Sequence, residues 1–337
     1  MKPNNVKNSQ WWAYNALFLT EHILGETLYS KIFGGAEQKL LKAIDEYASN
    51  KAPDNDFHII EYKKGESAEP IAHPYYPIVY RGAAADWPCQ KKWTFDYFDQ
   101  KYGDQDAPLL NSPGMVKEND AALTENLPLS YGVVKLRDYI SNMRKGSKKY
   151  LKFWRIVDEQ SSLRGDFDFD WLKKFRKPGA KNDLSYFFMG GKGSLSPIHS
   201  DYATTIFIQI EGTKKWTFYP INQRIFLGPR ARRYNYFYTS ADPYNLNDTR
   251  FPLLKHATPF ELMLYPGDVL YFPSLLWHQV ENVSDTIAVS YKFATFRAGL
   301  TSSKMLFTCF LLATKPWLIT TILPWSKDAI GYKKEKV

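Results

Sequence analysis

From about Leu184 to Phe296 the chain alternates apolar and polar residues in short runs separated by Gly and Pro, the period-two signature of half-buried strands. The clearest run starts at Thr204. Thr205, Phe207, Gln209 and Glu211 share one face of a strand, and Ile206, Ile208 and Ile210 share the other. Gly212-Thr213 predicts a two-residue turn with Gly first, and a hairpin pairing Glu211 with Lys214, Gln209 with Trp216 and Phe207 with Phe218. Upstream, residues 11–48 carry a helical period through Trp12, Leu17, Leu24, Leu28 and Phe33. Gly34-Gly35 is the predicted break there, with a second helix from about Ala36 to Ala48. Residues 51–75 are polar and irregular; Pro77 to Gly82 predicts a short strand and Trp93 to Tyr102 a helix. The whole pattern predicts a mainly β fold with flanking helices. A closed or sandwiched β-domain at 51–300 follows a helical segment at 1–50 and precedes an apolar helical segment with a basic tail at 301–337.

Composition narrows the class. With 337 residues, 44% hydrophobic and 16% aromatic, the chain can bury a large core, which excludes a disordered protein. Its two cysteines, Cys89 and Cys309, lie far apart without a CxxC. That argues against a disulfide scaffold or thiolate zinc site and for a reducing compartment, the cytoplasm. The stretch Trp11 to Leu24 contains Glu21 and His22 and no small-residue cleavage site, so it does not read as a secretory signal. Met305 to Trp325 is the most apolar stretch, but Lys315-Pro316 divides it into pieces too short for a bilayer. No transmembrane segment is expected; the pieces read as core or dimer-interface helices, with interfacial membrane contact as the alternative. Terminal helices of this kind suggest a homodimer. Part of the +9 net charge falls between Pro229 and Tyr238, where arginines sit beside aromatics. Such a surface suits RNA phosphates and bases, and equally an acidic peptide, an anionic lipid or plain solvation.

The chemistry concentrates in His199-Ser200-Asp201 and, much later, Trp277-His278 after the Pro266-Gly267-Asp268 turn and the run Val269 to Pro273. Two imidazoles and one carboxylate can occupy one face of an octahedral metal and leave the other open, the ligand set of non-haem Fe(II) oxygenases. His199 and Asp201, two apart, project to the same side of an extended chain. Zn, Mn or Ni fits the same ligands. Alone, a His-x-Asp is common by chance; the strand context of both halves turns the reading from a structural histidine pair to a metal site. His22, His58, His73 and His256 have no partner at ligand spacing and read as core or surface residues. If residues 201–211 formed one straight strand it would extend roughly 33 Å at about 3.3 Å per residue. For Lys214 and the metal to share one small ligand, the chain must therefore bend just after Asp201.

Several segments together resemble the JmjC/cupin-like 2-oxoglutarate oxygenases, in particular the small hydroxylase branch that includes the asparaginyl hydroxylase acting on hypoxia-inducible factor. They are Ser196 to Asp201, Ile210 to Trp216, and Pro266 to Pro273 with Trp277-His278, joined by Ala84 to Pro88 and Lys92 to Phe98. The likeness covers about residues 75–295. It implies a double-stranded β-helix, or jelly-roll, with Fe(II) held by His199, Asp201 and His278 and with Lys214 on the distal carboxylate of 2-oxoglutarate. Without that likeness Lys214 would be an ordinary turn lysine; neighbouring Lys215 points the other way. By the same resemblance Tyr150, Ser196 and Thr205 match positions that contact the cofactor, although the asparaginyl hydroxylase has an amide where Thr205 stands.

The implied reaction consumes O2 and 2-oxoglutarate, gives succinate and CO2 and hydroxylates a substrate C–H bond, with no acid–base residue apart from the metal ligands. On an N-methyl group the same chemistry ends in demethylation. A polypeptide side chain is the expected substrate. RNA, a small molecule or lipid, and a non-catalytic cupin module with a structural metal are the alternatives.

Overall fold

The computed structural model describes residues 2–53, 56–66, 69–111, 130–229 and 236–314. Its strands in chain order are β1 (Ile60–Tyr62), β2 (Ile78–Tyr80), β3 (Asp106–Asn111), β4 (Ser130–Lys135), β5 (Tyr150–Trp154), β6 (Lys181–Gly190) and β7 (Leu195–Asp201). They continue with β8 (Thr204–Glu211), β9 (Lys214–Tyr219), β10 (Tyr236–Tyr238), β11 (Phe260–Leu264), β12 (Val269–Phe272), β13 (Trp277–Asn282) and β14 (Thr286–Ala294). The larger sheet runs β1-β2-β12-β8-β14-β6-β5-β3-β4 and the smaller β10-β7-β13-β9-β11. Apart from the parallel β1–β2 pair, every pairing is antiparallel. Successive strands from β7 to β9 switch sheets, so the two sheets close over one interior in the expected jelly-roll manner.

Three apolar clusters mark the layers. Ile206, Ile208 and Ile210 point outward from β8 onto Trp93, Phe98 and Leu136. Phe207 points inward, where it meets Trp216 of the opposite sheet with ring centroids 4.9 Å apart. The face assignment made from alternation therefore holds. The hairpin does not: β8 and β9 lie in different sheets, with Glu211 opposite Ile287 and Lys214 opposite Leu264 and Asn282. Gly212, at φ +70°, turns the chain from one sheet to the other, and Thr213 N–H donates to Ser284 Oγ at 2.9 Å. A β-carbon on Gly212 would lie 1.8 Å from the Asp285 carbonyl oxygen. Gly212→Ala should therefore lower unfolding free energy by about 3 kcal/mol or more in urea titrations; a loss under about 1 kcal/mol would show that the corner relaxes freely.

The expected bend after Asp201 is present. Tyr202-Ala203 carries the chain from β7 into β8, and Ala203 N–H donates to Asp201 Oδ1 at 3.1 Å. The Pro266-Gly267-Asp268 turn is structural: Asp268 accepts from Arg81 at 2.7 Å, from Gly82 N–H at 2.9 Å and from Tyr265 N–H at 3.0 Å, tying β2 to β12.

At the N-terminus α1 (Asn8–Leu24) and α2 (Glu26–Ala48) part at Gly25, not at Gly34-Gly35. Gly25 has φ +81°, a conformation that ends a helix and that glycine adopts without strain, whereas Gly34 and Gly35 sit inside α2. Tyr14, Phe18 and Ile44 from these helices share a cluster with Leu306 and Phe307 of the helix Lys304–Thr314 and with Ile198, Tyr219 and Trp277 from the outer face of the smaller sheet. Of the two readings of the apolar C-terminal segment, core or dimer interface, the described part, Lys304–Thr314, packs as core within the chain. Buried Arg224 adds to the joint, donating to Asn15 and lying 4.3 Å from the Phe18 ring centroid. No described helix is long and apolar enough to cross a membrane. Residues 315–325 of the apolar stretch, and Arg230, Arg232 and Arg233 of the basic-aromatic one, lie outside the described residues.

Candidate functional site

The site is built where the middle strands of the smaller sheet meet. β7 and β13 pair so that His199 stands directly opposite His278. Their rings are 4.1 Å apart by centroid. His199 Nδ1 donates to the Pro197 carbonyl at 2.7 Å and His278 Nδ1 to the Leu276 carbonyl at 2.9 Å. A carbonyl only accepts, so each bond fixes the proton on Nδ1 and leaves the lone pair on Nε2, the form in which histidine binds metals. Burial holds both imidazoles neutral: His199 falls well below its ordinary range, helped by nearby His278, and His278 falls to about 4.

That shift has a thermodynamic consequence. A folded-state pKa below the unfolded value of about 6.5 means that the unfolded chain binds more protons, so stability rises with pH. The contribution is complete above about pH 6.5 and drains away as pH falls toward 4. Urea denaturation of metal-free protein should thus show a loss of a few kcal/mol between these limits that is smaller in His278→Gln; equal losses in both proteins would refute the assignment.

Asp201, third of the candidate ligands, ends β7. Its Oδ2 is held by the Lys292 ammonium at 2.5 Å. Burial raises the carboxyl pKa, but Lys292 outweighs that and leaves it below the ordinary range. Among the described residues no three His, Cys, Asp or Glu side chains form a ready-made metal cage, and this carboxylate faces the lysine. The donor set itself suits a divalent ion: two neutral imidazoles with oriented lone pairs and one ionised carboxylate beside them. If Asp201 is a metal ligand, Lys292 would compete with the cation for it, and Lys292→Met should tighten Mn(II) binding about fivefold by calorimetry, the equivalent of about 1 kcal/mol for a partly exposed pair. Weaker binding in that variant would mean that Lys292 assists the metal.

Lys214 is fully buried at the other end of the interior. Its ammonium donates to Tyr150 Oη at 2.8 Å, Asn282 Oδ1 at 2.5 Å and Thr286 Oγ1 at 2.9 Å. All three partners are neutral, and burial together with nearby Lys152 drives its pKa well below the ordinary lysine range. Such a site favours an arriving anion. Asn282, opposite Lys214, lies on the same strand as His278 and about 13 Å further along it at 3.3 Å per residue. Gly190 makes room for the Tyr150 ring, since a β-carbon there would come within 2.7 Å of it.

The sequence-predicted residues thus gather in one interior. His199 and His278 meet, Asp201 borders them, and Tyr150 binds Lys214. Thr205 lies in register with Lys292, and its buried hydroxyl has no hydrogen-bond partner among the described residues. The same is true of Trp216 Nε1 among the described residues. Ser196 accepts from Lys152 at 2.8 Å. Asn282, Thr286, Lys152 and Lys292 were missed. Strand parity offered a signal for Asn282, which shares a face with His278, and for Lys152, which shares one with Tyr150. The remaining histidines are structural where their contacts are seen: His256 pairs with Asp45 at 2.7 Å and His73 Nδ1 accepts from Tyr76 N–H at 3.0 Å.

The chain is similar to mouse 2-oxoglutarate and iron-dependent oxygenase JMJD4, 28% identical over 71% of this chain and 59% of that protein. It is also similar to two Arabidopsis thaliana proteins, arginine-specific demethylase JMJ20 and lysine-specific demethylase JMJ30. Each is 26% identical, over 69% of this chain and 55% and 54% of the relative respectively. The chain spans somewhat more than half the length of these relatives. A model of the cupin-like domain matches residues 66–298, which takes in both sheets except β1. The chain belongs to the cupin-like domain family.

Proposed function

We propose that the chain is a 2-oxoglutarate- and Fe(II)-dependent oxygenase that hydroxylates a C–H bond of a polypeptide side chain. The carrying observation is the joint presence, inside one closed β-fold, of two Nε2-oriented histidines beside a carboxylate and a buried lysine held by three neutral oxygens. Relatives named as a 2-oxoglutarate and iron-dependent oxygenase and as demethylases support the reading. The two buried thiols, Cys89 and Cys309, support a cytoplasmic setting.

His199, Asp201 and His278 would hold the metal. When bound, Fe(II) and 2-oxoglutarate supply the oxidising chemistry, with O2 reduced and the keto acid decarboxylated to succinate. The chain's own residues do the positioning. Lys214, with Tyr150, meets the acid's far carboxylate: the separation along β13 suits a five-carbon diacid reached by a lysine stem. Thr205 offers a hydroxyl beside Lys292. Trp216 and Phe272, packed 5.6 and 4.7 Å from the His278 ring by centroid, exclude water from that side of the site.

The test is succinate release from 2-oxoglutarate by the full chain with Fe(II), ascorbate and a panel of peptides, RNAs and metabolites. Peptide-stimulated succinate with a matching gain of one oxygen atom on the peptide is expected. Loss of a methyl group instead would redirect the proposal to demethylation, and no succinate with any member would reject it.

A further inference from the structure

The segments that lead into β1 and β2 and the turn that leaves β9 enclose a cavity of about 320 Å³ that the chemistry above does not use. Among the described residues it is lined by Phe57, Tyr75, Tyr76, Pro220 and Ile221, with Asp56 and Asn222 as its polar members. Register places it at the imidazole end of the fold. Pro220 follows Tyr219, which pairs with Trp277 beside His278. Tyr76 precedes Ile78 by two residues, and Ile78 pairs with Tyr271, the neighbour of Phe272. β1 runs parallel to β2, so Phe57 enters from the same end. A line of rings joins cavity to site: Phe57 lies 4.7 Å from Phe260 by centroid, Phe260 pairs with Phe218, and Phe218 pairs with His278. Two strand spacings of about 4.8 Å separate Phe260 from His278, so the cavity lies about 10–15 Å from the imidazoles.

Its walls are held by contacts of their own. Tyr76 Oη donates to the Asp56 carbonyl at 3.1 Å, and the Tyr76 ring stacks on His73 with centroids 4.6 Å apart. His73 Nδ1 accepts from Tyr75 N–H at 3.2 Å and from Tyr76 N–H at 3.0 Å, and its carbonyl accepts from Tyr271 Oη at 2.9 Å. With its hydroxyl proton committed, Tyr76 offers the cavity mainly its ring. Aromatic and aliphatic walls around a space of this size suit one bulky apolar side chain, and rings meet an aromatic guest edge to face. Walls already in place spare the cost of ordering them on binding.

Building on the oxygenase reading, we propose that this cavity is a substrate subsite. It holds an aromatic side chain of the polypeptide, about three to five residues from the one that is hydroxylated at about 3.3 Å per extended residue. Tyr75 and Ile221 set its preference.

The test is fluorine NMR titration of the full chain with Nα-acetyl-para-fluorophenylalanine amide, with Nα-acetyl-lysine amide as competitor. Parent protein is compared with Ile221→Trp, which fills the cavity, and Tyr75→Ala, which removes a wall, each checked for an intact melting transition. Tyr75→Ala carries the test if Ile221→Trp does not fold. The parent should bind the probe with a Kd of about 1 mM or tighter, in the range of a small fragment. Affinity should fall about tenfold or more in Ile221→Trp and about fivefold in Tyr75→Ala, and the lysine amide should compete at least about tenfold less well than unlabelled phenylalanine amide. Mn(II), its binding followed separately by calorimetry, should broaden the signal of the bound probe. His278→Ala should abolish that broadening and leave probe affinity within about twofold. No binding by the parent, equal affinity in the variants, or equal competition by the lysine amide overturns the inference and leaves the oxygenase reading standing. So does Mn(II) that binds without broadening the probe. Mn(II) that fails to bind the parent overturns the oxygenase reading and the subsite with it.

Discussion

Asp201→Ala protein is expected to release no succinate above background, a loss of at least about a thousandfold. Losses of ten- to hundredfold are typical when only an outer partner of a metal ligand is removed, and Asp201 is the single anionic donor of the set. Without it, two neutral imidazoles must hold a doubly charged ion against the nearby Lys292 ammonium, so binding itself should fail. The fold should survive, because the carboxylate sits at the end of β7 and not in an apolar cluster. Removing it strands Lys292, whose side chain keeps 13% exposure, so a modest destabilisation of about 1–3 kcal/mol is expected. Asp201→Asn retains an acceptor for Ala203 N–H and separates the two effects: it should melt close to the parent and still be inactive. Activity above about a tenth of parental in either variant, measured as 2-oxoglutarate-dependent succinate at saturating Fe(II), would remove Asp201 from the ligand set.

Lys214→Met should divide stability from binding. In the unliganded protein the Lys214 ammonium is buried among neutral oxygens. An apolar side chain of similar length removes that desolvated charge, and such exchanges are often neutral or stabilising. The freed hydroxyls of Tyr150 and Thr286 can rotate to new partners, which limits the loss. The expected unfolding free energy is therefore equal to or above that of the parent. Affinity for 2-oxoglutarate should fall about a hundredfold, the equivalent of about 3 kcal/mol for a charge-assisted contact to a carboxylate. Mn(II) affinity should be unaffected, since Lys214 lies remote from the imidazoles. A variant that is destabilised by several kcal/mol while keeping its affinity for the acid would make Lys214 a structural residue.

The parts of the fold visible in the sequence were those governed by local periodicity. Alternation in β8 separated Ile206, Ile208 and Ile210 from Thr205 and Phe207, and the structure places these sets on opposite faces. The turn at Gly212-Thr213 was visible too, but its partners were not. A positive-φ glycine serves a hairpin and a sheet-crossing corner equally well; the choice was made by pairing with β14 and β13, which lie far away in sequence. The helix break shows the same limit. Gly34-Gly35 is the stronger local signal, yet tertiary packing of α1 and α2 placed the reversal at Gly25.

The site divides along similar lines. His199 and Asp201 were legible because their spacing carries a chemical meaning, and His278 because a strand and turn precede it. Asn282, Thr286 and Lys292 have ordinary neighbours in sequence and acquire a role only when β13 and β14 come alongside β9 and β8. Lys292 could not have been found by composition, since a lysine beside a candidate metal carboxylate runs against the charge expected of a metal site.

The most direct measurement is the visible spectrum of the full chain under anaerobic conditions on adding Fe(II) and then 2-oxoglutarate. A keto acid chelated to ferrous iron gives a weak charge-transfer band, and neither component alone does. That band should appear with parent protein at one equivalent of iron and vanish in His199→Ala, Asp201→Ala and His278→Ala. A band that persists at full strength in any of the three, or that never forms with the parent, would contradict convergence of these residues on one ion.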